Sequence, residues 1–262
     1  MQITESRNED TGNAMNTTKS LLLAALLLLA VTRVSAQGAD RYIINHFVND
    51  PSVIDPYLVI TDVEGNGPIV TMKFYDNDGN LIGEGKELLQ PFGKLNLNAG
   101  KYVNKVANGT IHLASQGGNI VAEYWQFYKN AAESWKNTTT VGQDATGYTK
   151  LVCTHFVSDP DVEVYLVLAN PDGKDAIVNV VFHDDNGREV GKARELVKAN
   201  GTIALQPWGI VQTKATGVAS ISAQGGTITA DYWQAAKQTS YQIATPVAGI
   251  CTGSPNNRSV LR

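Results

Sequence analysis

The sequence predicts an all-β chain made of two tandem seven-stranded β-sandwich domains produced by an internal duplication. Three observations carry this. Residues 42 to 129 and 151 to 237 are two copies of one unit. Each copy is a succession of short β-rich runs separated by turn signals every 8 to 12 residues or so. No amphipathic helix of useful length interrupts them; the best attempt, Gln126 to Trp135, falls in the connection between the copies.

The duplication is legible residue by residue. His46, Phe47, Val48, Asp50 and Pro51 return as His155, Phe156, Val157, Asp159 and Pro160. After a one-residue gap near Asp55, the offset stays at 108 from Tyr57/Tyr165 to Gln126/Gln234. Gln116, Gly117, Gly118, Ile120, Ala122, Tyr124 and Trp125 recur as Gln224, Gly225, Gly226, Ile228, Ala230, Tyr232 and Trp233. A single gap means that almost every turn keeps its length, so a complete domain was copied and each copy should own a core.

Taken in order, residues 1–36 read as a signal peptide. Lys19 precedes the apolar run Leu21 to Val31, and Val34, Ser35 and Ala36 suit cleavage before Gln37. The run is too short to span a bilayer, which takes about 20 apolar residues. Residues 37–130 form the first repeat, with strands expected at roughly Tyr42 to Val48, Tyr57 to Val63, Pro68 to Tyr75, Leu81 to Leu88, Lys94 to Asn98, Thr110 to Ser115 and Asn119 to Tyr128. In the third, Val70, Met72 and Phe74 alternate with Thr71, Lys73 and Tyr75, and Val178, Val180 and Phe182 repeat the apolar set. That period of two marks the core face. Asp76 to Gly79 and Gln116 to Gly118 carry residues that accept positive φ and read as hairpin turns. Residues 131–149 are expected to be an exposed, partly mobile linker rich in Thr, Gly, Asn and Ala. The second repeat occupies 150–238, and a polar tail 239–262.

The chain has 21 Lys and Arg against 25 Asp and Glu, a net of −4 without charge runs. That balance argues against nucleic acid or an anionic membrane as partner. No second apolar stretch approaches bilayer length, so the mature chain should carry no membrane span. Cys153 and Cys251 are the two cysteines. Export permits a bridge, which would tie the tail to the second domain and contribute about 4 kcal/mol in the chain-entropy model.

One further pattern joins these signals. Asn170-Pro171, an alternating strand ending in Phe182, an Asp-Asn-Gly turn, and Asn200-Gly201 before Ile203 together resemble immunoglobulin-like or fibronectin-like repeats of exported bacterial proteins. The resemblance implies immunoglobulin-like sandwiches in an extracellular, cell-surface or periplasmic setting, and it implies no reaction. The first copy departs from it at Asp62 and Val63, where Asn and Pro stand in the second.

Candidate functional residues are few. His46 and His155 share a repeat position, each with an aspartate four residues on (Asp50, Asp159). Four residues of strand span about 13 Å, so neither pair can touch without a turn. His112 and His183 have no histidine opposite them in the other copy, where Ser220 and Tyr75 stand. Asp76, Asp78, Asp184 and Asp185 could offer oxygens to calcium, but the spaced acidic pattern of a calcium loop is missing and a hairpin turn is the better reading. Tyr124 with Trp125 and Tyr232 with Trp233 put adjacent aromatics on opposite strand faces, so one of each pair must look away from its own core. Trp208, opposite Gly100, is a further exposed candidate. Such side chains stack on sugars, anchor a protein, or are covered by the neighbouring domain. Asn-x-Ser/Thr triplets at Asn108, Asn137, Asn200 and Asn257 fit the glycosylation pattern, which arises often by chance.

No catalytic motif, zinc cluster or phosphate loop is present, and no cofactor is expected. The sequence therefore points to a secreted, non-catalytic structural, adhesive or binding protein. Its partners would be other protein chains, itself through β-strand edges, or a cell-surface glycan held by the Tyr/Trp pairs. Gln37 to Arg41 and Lys237 to Arg262 are candidate pairing segments for such assembly.

Overall fold

A computed structural model describes residues 40–130, 137–236 and 247–253. The signal-peptide assignment, the Gln126 to Trp135 stretch beyond Asn130, and the Asn257 triplet lie outside the described residues. The described residues form one compact unit, and it is almost entirely β-structure. Among the described residues, no helix is long and apolar enough to cross a membrane.

In the first repeat, β1 (Arg41–Asn49), β3 (Ile69–Asp76), β4 (Leu81–Leu88) and β6 (Ala107–Gln116) form one antiparallel sheet. A smaller sheet contains β2 (Ile54–Asp62), β5 (Lys94–Asn98) and β7 (Ile120–Tyr128). The alternating side chains predicted from sequence fill the space between them. Ile44 and Phe47, Leu58 and Ile60, Val70, Met72 and Phe74, Ile111 and Leu113, and Ala122 and Tyr124 form one buried cluster. Phe47 and Phe74 meet edge to face at 5.6 Å, and their counterparts Phe156 and Phe182 do so at 5.0 Å. The second repeat repeats the plan with β10 (Lys150–Ser158), β11 (Val162–Ala169), β12 (Ala176–Asp184), β13 (Glu189–Val197), β14 (Thr202–Leu205), β15 (Ala215–Gln224) and β16 (Thr229–Ala236). Its own core is centred on Leu166, Val178, Val180, Phe182 and Ile221.

The structure departs from expectation between the copies. Part of the interval read as a mobile linker is strand. β8 (Thr138–Val141) extends the small sheet beside β7, and β9 (Gln143–Asp144) extends the large sheet beside β1. The chain therefore crosses from one sheet to the other at Gly142. The tail does the same: β17 (Val247–Ile250) pairs with β16, and β18 (Thr252–Gly253) pairs with β10. Among the described residues each sandwich thus has nine strands where seven were expected, because the segment following each copy pairs along that copy's open side. The tail offered as a pairing strand for another chain is, at 247–253, already paired within its own repeat.

The two loops that differ in sequence do the same job by different bonds. The Asp62 carboxylate accepts from the backbone N–H groups of Glu64, Gly65, Gly67 and Phe92. Asn170 donates to the carbonyls of Lys174 and Val197 and accepts from Asp172. The hairpin reading of Asp76 and Asp184 holds, with Gly79 and Gly187 at φ of 79° and 78°.

Candidate functional site

The site is built by comparing the same strand positions in the two repeats. In β1 the residues Tyr42, Ile43, Ile44 and Asn45 are all buried, whereas in β10 Leu151 and Cys153 are buried but Val152 and Thr154 are exposed. One face of each strand meets its own core. The other face of β1 is covered because the second repeat lies against it. Ile43 packs with Ala145 and Ala169 in a small third cluster, and the Thr229 hydroxyl donates to Asn45 Oδ1 at 2.6 Å.

The covering surface is the outer face of the second small sheet. Tyr165 and Trp233 lie opposite each other in register with rings 4.8 Å apart, and the His46 ring lies 5.6 Å from Trp233. Val167, Ala169, Thr229 and Asp231 complete the covered face and are all buried. Thr140 Oγ1 donates to Asp231 Oδ2 at 2.8 Å, and Gln143 Nε2 donates to the Ala230 carbonyl at 2.9 Å. The Asn77 turn joins in, since its carbonyl accepts from Thr202 N, and a Cβ on Gly79 would collide with the Ala199 carbonyl. Burial pushes Asp231 up to about 6 and lowers His46 to about 4, in each case shifting the group towards its neutral form. A cleft of about 320 Å³ opens along it, lined by His46, Gln126, Tyr165 and Trp233 among others.

Among the described residues, none covers the equivalent outer face of the first small sheet to the same extent. Tyr57, Trp125 and Phe127, respectively 38%, 37% and 40% exposed, form a continuous aromatic row. Trp125 and Phe127 stack at 6.1 Å with planes 21° apart, and Phe127 meets Tyr57 edge to face at 6.0 Å. Val141 lies on the same face opposite Glu123, and Glu123 accepts from Trp125 Nε1 at 3.0 Å. Tyr57 and Phe127 were not singled out from sequence, although their spacing of two from residues on the same strand face was the available signal.

The other aromatic candidates divide. Tyr124 is a core residue: its phenolic oxygen accepts from Val48 N at 3.0 Å and donates to Val48 O at 3.1 Å, so it presents no platform. Tyr232 is packed against the second core beside His155, with rings 5.5 Å apart. Trp233 is in the seam. Trp208 is partly exposed on the short helix α1 (Pro207–Val211), away from the aromatic row.

The histidine–aspartate pairs are not brought together as acid–base sites. His46 and His155 sit at matching β-bulges in β1 and β10, where the ladder shifts register. A bulge re-aims a side chain, here towards Trp233 and Tyr232. Asp50 caps its own turn at Ser52, and Asp159 accepts from Asp161 N and pairs with Lys214 at 3.1 Å. The His112 ring lies 4.8 Å from that of Tyr75 with the planes tilted by 54°, and His183 lies 3.3 Å from Ser220 Oγ. The two are one pair of positions with the histidine moved to the neighbouring strand. Asp76 is occupied by Asp78 N and Asn80 N, Asp184 by Asn186 N and Arg188 N, and Asp185 by the Thr216 hydroxyl. Among the described residues, no three His, Cys, Asp or Glu side chains converge on a possible metal position. Cys153 and Cys251 are bridged, with Cα atoms 4.2 Å apart.

No family model matches the chain, and no curated protein matches it. Solved structures similar to parts of it include a glycosyl hydrolase family 2 member from Bacteroides cellulosilyticus, at 14% identity and a TM-score of 0.16 over 81% of this chain and 28% of that one. Another is a putative beta-galactosidase from Bacteroides fragilis, at 11% identity and a TM-score of 0.19 over 80% of this chain and 32% of that one. The chain thus spans about a third or less of these proteins, at similarities too low to carry an argument about it.

Proposed function

We propose that this is an exported, non-catalytic structural or binding protein whose working surface is the outer face of the first small sheet. One observation carries the reading. On this face Val167, Ala169, Thr229 and Asp231 are buried in the second repeat, and Tyr165 and Trp233 are half-buried beside His46 of β1, whereas Tyr57 and Trp125 are exposed at the same positions in the first. An apolar aromatic row left open on a sheet whose twin is buried is a surface of the kind that partners cover.

A glycan is the second reading, because the near-parallel Trp125 and Phe127 rings offer a flat platform to a sugar ring. Both readings place the partner on the same residues. The test is a chain bearing Tyr57→Ser, Trp125→Ser and Phe127→Ser, compared with the wild type by light scattering over a concentration series and on a glycan array. Trp208→Ser serves as a control outside the face. Identical behaviour of wild type and triple variant in both assays would remove the reading.

A further inference from the structure

We infer that the partner of this face is a second copy of the same chain, docked head to tail through the exposed β10 side of its second repeat. The inference rests on the reading that the aromatic face is the working surface, and it names the occupant.

Within the chain, the small-sheet face of the second repeat sits on the β1 side of the first. Because the repeats are copies, each carries both halves of that contact. One face and one side are used internally; among the described residues, the face of the first repeat and the β10 side of the second remain open. The open halves correspond position by position to the used ones. His46 against Trp233 becomes His155 against Trp125. Ile43 against Ala169 becomes Val152 against Thr61, with Val59 standing where Val167 is buried. Asn45 with Thr229 becomes Thr154 with Val121, and the place of Gln143 is taken by Thr252. Val152 is 42% exposed, and Thr154 and Thr252 are exposed. Both open surfaces are accessible and apolar at the centre, and the aromatic face keeps one acidic side chain, Glu123, at the position that Asp231 holds in the seam.

Such a contact joins two different surfaces, so it is heterologous. Joining one molecule to the next leaves one open half at each end, and the series extends until a rotation closes it into a ring. The internal seam also fixes which side chains stop it. Val152→Asp puts an unpaired charge into the centre of the contact, and Trp125→Arg takes away the ring on which the contact is centred; both positions are exposed in the isolated chain.

The test uses residues 37 to 262, which contain the whole compact unit, in three forms: wild type, Trp125→Arg and Val152→Asp. Light scattering and sedimentation over concentrations from about 1 µM to about 1 mM cover contacts of weak to moderate affinity. The wild type is expected to grow in mass beyond a dimer as concentration rises. Each variant alone should stay monomeric, because each keeps only one usable surface. An equimolar mixture should form a dimer and stop there, since intact β10 side meets intact aromatic face once. The inference is overturned by a wild type that stays monomeric, by one that halts at a symmetric dimer, or by variants that associate as well as the wild type. A monomeric wild type whose glycan binding is lost with Trp125→Arg would overturn the second-copy inference and leave the working-surface reading standing.

Discussion

Cys251 holds in the second repeat the place that Gly142 holds in the first. Each is the residue at which the chain crosses between sheets, and each donates its N–H to the matching carbonyl, Ala230 for Cys251 and Ala122 for Gly142. The partner of Cys251, Cys153, is matched by Ile44, whose side chain would meet a Cβ placed on Gly142 at 3.2 Å. One repeat therefore fastens its crossing with a covalent bond, and the other fills the same space with an isoleucine against a glycine.

From this, Cys153→Ala with Cys251→Ala should destabilise the second repeat by about 5 kcal/mol, the chain-entropy value for a loop of this size. Denaturant unfolding should show the transition of the second repeat moving to lower denaturant. In the converse experiment, Ile44→Cys with Gly142→Cys should form a bridge in the first repeat, detectable as two thiols lost to labelling under oxidising conditions.

The seam should make stability depend on pH through Asp231. Burial raises this carboxyl to about 6 in the folded chain, above its ordinary value, so the folded state favours the protonated form. Its stabilising contribution is complete below pH 4 and is lost as pH rises through about 6. Asp231→Asn mimics the neutral acid. It should therefore raise stability by up to about 3 kcal/mol at pH 8 and leave it unchanged at pH 3.5. His46 acts in the opposite direction, since its lowered value of about 4 costs stability as pH falls from the ordinary histidine range towards 4. The difference between Asp231→Asn and wild type at each pH isolates the aspartate.

Neighbouring residues in β7 should separate folding from binding. Tyr124→Phe removes the hydroxyl that serves both backbone groups of Val48 and should cost about 1 to 3 kcal/mol, with the aromatic row unaffected. Trp125→Ser should change stability by under about 1 kcal/mol and abolish the interactions of the exposed face. Thermal melts and light scattering on the two variants check both halves.

Asp62 and Asn170 should not be exchangeable. All four backbone donors at Asp62 need carboxylate oxygens, and an amide would turn a donor towards two of them. Although burial alone raises its pKa, those four N–H groups outweigh it and hold Asp62 below its ordinary value. Its contribution is therefore present at neutral pH and fades as pH falls below the ordinary carboxylate range. Asp62→Asn should cost about 2 kcal/mol at pH 7, read from denaturant midpoints, and progressively less in acid.

The duplication, the core alternation of β3 and β12 and the hairpin turns were legible because each is written in local periodicity or in the match between copies, and the cysteine pairing because the chain has two cysteines and reads as exported. β8 and β9 were not. Thr138–Val141 is a short edge strand with few apolar residues, and its place is set by the open side of a finished sandwich rather than by its own pattern. Which aromatic of Tyr124 and Trp125 faces out was equally hidden. Strand periodicity says that they oppose each other, and only the reach of the phenol to Val48 selects the inward one. The burial of Ile43, Asn45 and Asp231 depends on how one sandwich sits on another, a contact that leaves no period in the sequence.

The crossing residues also decide how the protein answers a pull on its ends. In each repeat the first and last strands are antiparallel neighbours joined by two residue pairs, Tyr42 with Asp144 and Ile43 with Gln143 in one, and Leu151 with Gly253 and Val152 with Thr252 in the other. Tension peels such a pair one rung at a time. In the first repeat the peeling meets Gly142 and continues into the sheet. In the second it meets the Cys153–Cys251 bond after two rungs, and the 98-residue separation behind that bond, about 340 Å of extended chain, is withheld from stretching. Under load the first repeat is the part that lengthens and the second is the part that holds.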